Sequence, residues 1–428
     1  MLSIETVKNH REGVEESIRR RKQDDKLSLL DEVISTDSTW RELKGRVDEL
    51  RAERNKISKA INEAKKNKQD AAELISQAQT IPAQLKTLEE EEQALRNRID
   101  EILRILPNIL HEKVPDGDSD ADNVQRAVFG NKPELDFEVK NHVELLEGLG
   151  LVDFDAARRT SGSGFFFLLS DLALLDNALQ QYAIDKMLEA DFTPVVVPYM
   201  VRRDIVDGMV DLSFFEETIY KVENEDLYLI PTSEFPLVGM LTGKDVDVRE
   251  LPAKLCGISP CFRGERGSHG IDEKGLFRTH QFHKIEQVVV CSPEESQEWF
   301  SKLLDITTDI FVSLGLHVRH LEMCTADLGD LKHRQFDVEV FSPRREDWFE
   351  VGSCSNLTDA QARRLGIRMV HPDGTREYCH TLNNTAIATS RAMVAIIENF
   401  QQEDGTIKIP EVLHPYMRGR TILERRTE

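Results

Sequence analysis

The sequence has no run of 18 or more apolar residues, so no transmembrane helix is predicted. Residues 1–8 contain neither a long apolar stretch nor an Arg-rich, acid-free one, so they resemble no secretory or organellar signal. The six cysteines are scattered and form no CxxC pair, which is typical of reduced thiols in a cytosolic protein. These absences predict a cytoplasmic protein that does not cross a membrane.

Basic charge is also scarce, because 55 Lys and Arg residues stand against 77 Asp and Glu residues, for a net charge of −22. Such acidity argues against non-specific coating of RNA or DNA, but it permits one local basic surface. Residues 54–68 provide a candidate, with one acid, Glu63, and six basic residues. The basic residues are Arg54, Lys56, Lys59, Lys65, Lys66 and Lys68.

Apolar residues recur at alternating spacings of three and four over residues 40–64 and again over 78–102. Residues 65–70 are polar and separate the two stretches, so we expect an antiparallel hairpin of two helices over about 36–105. Shorter helices are expected within 4–35. Pro82 predicts a kink or a late start of the second helix. A solvated coiled coil whose charges only keep it in solution is the simpler alternative.

The chain of 428 residues is long enough for two or three domains. We place an N-terminal helical domain at 1–106, a linker at 107–140 and a further domain at 141–428. The linker contains an acidic, turn-rich stretch at 114–122. Apolar and alternating runs separated by few helices predict an antiparallel sheet in the C-terminal domain, and the fold class is therefore α+β.

Two strand-like arms at 261–290 flank a loop with Gly264, Gly267, Gly270 and Gly275. Phe282, Lys284 and Glu286 share one face of the second strand, and Arg263 and Glu265 share a face of the first. An arginine can clamp a phosphate, and an aromatic ring can stack on a purine. The set suits a nucleotide together with an amino acid, although an exposed hairpin with cross-strand ion pairs would show the same alternation.

The pattern Phe262-Arg263-x-Glu265, the Gly-rich loop and Arg278-x-His-Gln-Phe282-x-Lys-x-Glu286 resembles motif 2 of class II aminoacyl-tRNA synthetases, with wording closest to the seryl-tRNA synthetases. Thr-Ser-Glu at 232–234, Ser-Cys-Ser-Asn at 353–356 and Gln-Ala-Arg-Arg at 361–364 are similar to the same family. The stretch around Arg391 resembles motif 3. The resemblance implies a class II catalytic domain with an antiparallel sheet, preceded by an antiparallel two-helix coiled-coil arm that binds tRNA.

The resemblance also implies the roles of individual residues. The catalytic pair would be Arg263 and Arg391. The ATP site would comprise Arg263, Gly264, Glu265, Arg278, Phe282, Glu350, Val351, Gly352, Ser353 and Arg391. The serine site would comprise Thr232, Ser233, Glu234, Arg263, Glu286, Asn383 and Thr385. Mg²⁺ would be held by Glu350 and Ser353, and tRNA by the six basic residues of the arm.

Judged without the resemblance, Thr232 or Ser233 could simply cap a helix. Cys354 is expected to be a buried apolar residue rather than a nucleophile. Gly264, Arg266, Ala386 and Ser390 depart from the residues expected of the family.

The resemblance implies a serine–tRNA ligase that uses ATP and Mg²⁺, acts on L-serine and tRNA(Ser), with tRNA(Sec) as a further candidate, and forms a homodimer. One alternative is a catalytically silent paralogue that binds RNA or protein through the arm. A second is a ligase that loads an amino acid onto a carrier protein.

Overall fold

The computed structural model describes residues 1–210, 218–265 and 275–425. Gly267 and Gly270 of the predicted loop lie outside these residues. The chain divides into two compact units, Met1–Ile109 and Leu110–Glu428. None of the helices in the described residues is long and apolar enough to cross a membrane.

The helices are α1 Ile4–Asn9, α2 Arg11–Arg20, α3 Leu27–Lys66, α4 Ala72–Ile105, α5 His142–Leu149, α6 Phe154–Thr160, α7 Ser170–Glu189, α8 Arg203–Met209, α9 Glu234–Gly239, α10 Ser296–Ser313, α11 Ala360–Leu365 and α12 Thr389–Phe400. The strands are β1 Val124–Phe129, β2 Thr193–Val196, β3 Met200–Val201, β4 Tyr228–Leu229, β5 Asp245–Asp247, β6 Ala253–Phe262, β7 Gln281–Cys291, β8 Val318–Glu322, β9 Arg334–Ser342, β10 Asp347–Asn356, β11 Arg368–Val370, β12 Arg376–Tyr378, β13 His380–Ala388, β14 Ile407–Lys408 and β15 Ile422–Leu423.

In the first unit, α3 and α4 form the expected antiparallel hairpin. Arg98 binds Glu32 near the base, and Arg51 binds Glu89 farther along, at N–O distances of 2.6 and 2.8 Å. The two pairs run in opposite directions along the two helices, as an antiparallel arrangement requires. Apolar side chains of the two repeats are buried between the helices, among them Val47, Ile57, Ile81 and Leu85.

Two details of the predicted hairpin differ. Helix α3 begins at Leu27, not near residue 36, because no Pro or Gly interrupts 27–44 and Leu30 and Val33 are fully buried. The late start predicted at Pro82 is wrong, since α4 begins at Ala72 and continues through the proline. A proline removes a single backbone donor, and the packing of α4 against α3 outweighs that loss.

The second unit is built on a sheet that has eight strands among the described residues, in the order β1-β8-β9-β10-β13-β7-β6-β2. Neighbouring strands are antiparallel except β2 and β6, which are parallel. The α+β class and the antiparallel sheet are thus confirmed. Helices α7, α10 and α12 contribute buried apolar side chains to a large core on the sheet, which holds the central strands rigidly for the site.

The two edges of the sheet differ in origin. Strand β1, which comes from the predicted linker, pairs with β8 through residues 124–129. Strand β2 forms the other edge, and apolar side chains in and near it are exposed. Val196 is 73% exposed, and Tyr199, Met200 and Leu188 are also exposed.

All six cysteines are buried and unpaired. Burial raises the pKa of Cys256 to about 12 and that of Cys379 to about 11. Cys354 lies on β10 with its Sγ 3.6 Å from the Phe300 carbonyl oxygen, and burial raises its pKa far above the ordinary thiol value. It therefore packs as an apolar residue, as the sequence predicts.

Candidate active site

A cleft opens on the central strands of the sheet, where β7, β10 and β13 meet the start of α12. Its walls include most of the residues that were assigned to ATP from the sequence. The lining residues are Arg263, Glu265, Phe277, Arg278, Thr279, Phe282, Lys284, Glu350, Val351, Gly352, Thr385, Ala388, Ser390 and Arg391.

The paired strands β6 and β7 bring Arg263 beside Phe282. Cys261 is opposite Phe282 in the ladder, and the Arg263 N–H donates to the His280 carbonyl at 2.9 Å. The Arg263 guanidinium lies 5.3 Å from the centre of the Phe282 ring, and its Nε donates to the Pro231 carbonyl at 3.3 Å. A fixed cation therefore adjoins an aromatic face, which suits a phosphate next to a purine.

Glu265 and Arg278 lie at the two ends of the loop between β6 and β7. The Arg278 guanidinium is 3.6 Å from the Glu265 carboxylate. Glu265 has φ +41°, and the Gly264 N–H donates to the Thr218 carbonyl at 2.7 Å. Gly264 therefore contributes backbone geometry to the site.

Arg391 and Glu350 form an ion pair across the cleft. One nitrogen, Nη1 of Arg391, donates to both the carboxylate and the main-chain carbonyl of Glu350, at 2.9 Å each. Burial alone would raise the pKa of Glu350, but the charge and hydrogen bond of Arg391 outweigh it and hold that pKa below its usual range. Glu350 is therefore ionised near neutral pH, and Arg391 is held in one orientation.

Two acidic residues of β9 that were not assigned from the sequence lie against this pair. Asp337 is opposite Ser353 in the ladder, and Glu339 is opposite Glu350. Burial and the nearby Glu350 charge raise the pKa of Asp337. Alternation within residues 334–342 was an available signal, because the two acids alternate with the buried Phe336, Val338 and Val340.

The oxygens of Glu350, Ser353 and Asp337 are hard ligands of the type that Mg²⁺ prefers. Over the described ranges, no group of three or more His, Cys, Asp or Glu residues is arranged to hold a metal ion. Mg²⁺ usually takes one or two protein carboxylates and completes its shell with water and phosphate oxygens, and this donor set matches that preference.

A buried ion pair adjoins the cleft, formed by Lys284, which lines the cleft, and Glu286. Glu286 is opposite Gly257 on one side and Thr385 on the other. Both members of the pair are almost fully buried. A buried charge needs a partner, and these two side chains supply opposite charges to each other inside the sheet.

The residues of 232–234 begin helix α9 beside this pair. The Glu234 N–H donates to Thr232 Oγ1 at 3.2 Å, and the Glu234 carboxylate accepts a hydrogen bond from Asn383 Nδ2 at 2.8 Å. Burial, with the nearby Glu286 charge, raises the pKa of Glu234. Ser233 differs, since it is fully buried against Gly257. A Cβ added at Gly257 would overlap the Oγ of Ser233. Ser233 therefore packs against β6.

A buried hydrogen-bond network holds Gly275 and Leu276, which follow the Gly-rich loop between β6 and β7. The Leu276 N–H donates to His142 Nε2 at 3.2 Å, so the ring carries its proton on Nδ1, which lies 3.2 Å from Glu398 Oε1. Ser342 Oγ donates to the other oxygen of Glu398 at 2.7 Å. Gly275, at φ +90°, has no room for a side chain beside His142. These contacts join the loop end to α12, which carries Arg391, and the sequence gives no local signal for them.

The six basic residues assigned to the arm are all exposed in the first unit, on α3 or in the turn that follows it. Val47, Ile57, Ile81 and Leu85 pack below them and fix the direction of the helix pair. The arrangement leaves the cations in water, where they can contact phosphates.

Two family models match the chain. The model described as "tRNA synthetase class II core domain (G, H, P, S and T)" matches residues 218–400. The model described as "Seryl-tRNA synthetase N-terminal domain" matches residues 1–110.

Curated relatives match along nearly the whole chain. The serine–tRNA ligase of Methanocella arvoryzae is 46% identical over 98% of this chain and 99% of its own length. That of Methanoregula boonei is 44% identical over 99% and 100%, respectively.

Solved structures agree. The seryl-tRNA synthetase from Pyrococcus horikoshii complexed with ATP has a TM-score of 0.91 and 42% identity, with 100% of both chains covered. The cytoplasmic serine–tRNA ligase from Naegleria fowleri in complex with AMP has a TM-score of 0.85 and 34% identity, with 97% of this chain and 96% of that one covered.

Proposed function

Because this chain belongs to the seryl-tRNA synthetase family of class II synthetases, we propose that it activates L-serine with ATP and transfers the seryl group to tRNA(Ser). The serine carboxylate attacks the α-phosphate of ATP, which gives seryl-adenylate and releases pyrophosphate. The terminal ribose hydroxyl of the tRNA then takes the seryl group and releases AMP. The single observation that carries the proposal is the cleft of Arg263, Phe282 and the Glu350–Arg391 pair, beside the buried Lys284–Glu286 ion pair.

In the cleft, Phe282 stacks on adenine and Arg263 neutralises the α-phosphate under attack. Arg391 binds the γ-phosphate. Arg263 and Arg391 are already anchored by main-chain oxygens, at Pro231 and Glu350, so little reorganisation is needed when charge develops. The rest of the ATP site comprises Gly264, Glu265, Arg278, Val351, Gly352 and Ser353.

Glu350 and Ser353 would hold Mg²⁺, with Asp337 adjacent through its position opposite Ser353. When bound there, the ion would neutralise charge on the ATP phosphates. The chain's own part in the reaction is to position the two substrates and to balance their charge.

Beside the cleft, Glu286 and Glu234 bind the serine ammonium, and Thr232, Asn383 and Thr385 supply polar contacts around the side chain. A pocket that hydrogen-bonds a hydroxyl rejects alanine strongly, because its buried polar groups would be left unpaired. Ser233 contributes through its main chain and its packing.

The arm binds the tRNA. The basic residues at its tip would contact phosphates and recognise the RNA by shape. The division into a helical domain at 1–106 with its arm, a linker at 107–140 and a catalytic domain at 141–428 is part of the proposal. So is a cytoplasmic location, which the six reduced, buried thiols support. Transfer of serine to tRNA(Sec) is a further candidate activity.

We also propose that the protein is a homodimer that pairs through the β2 edge. The exposed Val196, Tyr199 and Met200 at that edge support this arrangement.

The test is ATP–pyrophosphate exchange with each of the twenty amino acids in the presence of Mg²⁺. We expect exchange with serine alone, followed by charging of tRNA(Ser) transcripts. Exchange with a different amino acid would overturn the substrate. Absence of exchange with all twenty would overturn the enzymatic proposal and favour the silent paralogue.

A further inference from the structure

We propose that Gln361 is a positioning residue for serine recognition, which holds the Glu234 carboxylate in the orientation that receives the substrate. This inference rests on the proposed function, because it assigns a role within the same serine site. Gln361 lies on α11, more than a hundred residues from Glu234 along the chain, and it is 1% exposed.

The side-chain amide of Gln361 is bound at both ends. Its Nε2 donates to Glu234 Oε1 at 2.8 Å, and its Oε1 accepts from the Thr381 hydroxyl at 2.7 Å. Thr381 is also 1% exposed. Because Thr381 donates to the amide oxygen, the amide nitrogen must face Glu234. Gln361 can therefore only donate to Glu234, so the oxygen of Glu234 that faces Gln361 must act as a hydrogen-bond acceptor.

The hydrogen bond opposes the two influences that disfavour the charged form of Glu234. Burial and the neighbouring Glu286 raise the pKa of Glu234, whereas the Gln361 amide lowers it. Asn383 donates to the same oxygen, Oε1, at 2.8 Å. With both amides on Oε1, the lone pairs of Oε2 can serve the ammonium of the substrate. Gln361 thus acts through Glu234, without touching serine.

The test compares Gln361→Met with Gln401→Met in serine-dependent ATP–pyrophosphate exchange. Gln401 is the control, since it is also 1% exposed and its amide is hydrogen-bonded at both ends, to the N–H and carbonyl of Lys140 and to the carbonyl of Glu398. For Gln361→Met we expect the KM for serine to rise about ten- to a hundredfold, the range for losing a hydrogen bond to a charged group. The KM for ATP should stay near the wild-type value, as should both constants of Gln401→Met.

The pH profile separates positioning from general damage. Without the amide, the pKa of Glu234 rises further, so protonation sets in at a higher pH. The KM for serine of Gln361→Met should therefore climb at a higher pH than that of the wild type as the pH is lowered from 8 to 6. Thr381→Val, which keeps the amide but removes its anchor, should shift both readouts in the same direction by less, and it serves if Gln361→Met does not fold.

Equal rises in the KM for serine and for ATP, or an unshifted pH profile in both variants, would overturn the positioning role. If the wild type shows serine-dependent exchange and the variants match it, Gln361 has no such role and the proposed function stands. If the wild type shows no exchange with serine, the proposed function itself fails.

Discussion

Arg391 shows how one side chain can be fixed before the substrate arrives. Its Nη1 bonds to two oxygens of Glu350, and its guanidinium lies 5.2 Å from the centre of the Phe277 ring. A planar guanidinium can make these contacts together, while a lysine ammonium is a point charge on a flexible stem. The preference at this position is therefore for a flat, oriented cation.

We predict that Arg391→Lys lowers kcat for pyrophosphate exchange by about 10²–10³-fold, the usual cost of losing one preorganised charge contact in a transition state. The KM for serine should change little, because the serine pocket is formed by other residues. The control is Arg376→Lys on β12, where the arginine forms an exposed ion pair with Asp245. A kcat of Arg391→Lys equal to that of the control would contradict the role given to Arg391.

At the scale of single elements, the tip of the arm concentrates positive charge in an acidic molecule. Lys65 and Lys66 end α3, and Lys68 lies in the turn with φ +55°. We predict that replacing these three by alanine raises the KM for tRNA and leaves serine-dependent exchange unchanged. The logarithm of the association constant for tRNA decreases linearly with the logarithm of the salt concentration. The magnitude of that slope should decrease by about two, since each lost phosphate contact removes roughly 0.7–0.9.

Lys86→Ala supplies the control, because Lys86 is also exposed on the arm but lies 4.0 Å from Glu90. Equal effects of the triple variant and of this control on the KM for tRNA would mean that the tip makes no specific contribution.

The helices of the arm could be predicted well because their signals are local. The spacing of Val47, Ile57, Ile81 and Leu85 directly identifies the buried faces. The start of α3 at Leu27 did have a local signal, the stretch 27–44 without Pro or Gly, which the prediction did not use. The continuation of α4 through Pro82 could not be predicted, since it depends on packing against α3. Strand β1 was missed for the same reason: its partner, β8, is almost two hundred residues away.

At the scale of the whole molecule, the first unit contains two separate apolar clusters. The base cluster includes Leu30, Val33, Ile99 and Ile102, and the arm cluster is centred on Val47, Ile57, Ile81 and Leu85. Because the clusters share none of these residues, the outer arm can be removed without removing any buried apolar residue of the base cluster.

We predict that replacing residues 45–90 by a short glycine linker abolishes tRNA charging and preserves serine-dependent exchange. The reason is that the cleft residues all belong to the second unit. Exchange, charging and circular dichroism of the truncated protein would be measured together. Undiminished charging by the truncated chain would refute the arm's role, and loss of exchange would refute the independence of the site.

The site was partly readable from the sequence. The long motif around Arg263 and Phe282 identified the cleft, because its residues adjoin in two paired strands. Asp337 and His142 were not identified, and Gln361 was noted as part of a family-like stretch but given no role, since each acts through a partner brought close only by folding. A local sequence pattern does not show which distant residues become neighbours in the folded chain.

The burial of the cysteines has a practical consequence for site-specific fluorescence labelling of the protein. All six lie within the described residues and are shielded by the folded chain. A thiol introduced by Asn67→Cys, at the exposed turn of the arm, would be the one that a maleimide dye reaches in the native protein. The wild-type chain is thus already a background suited to fluorescence labelling at a single chosen position.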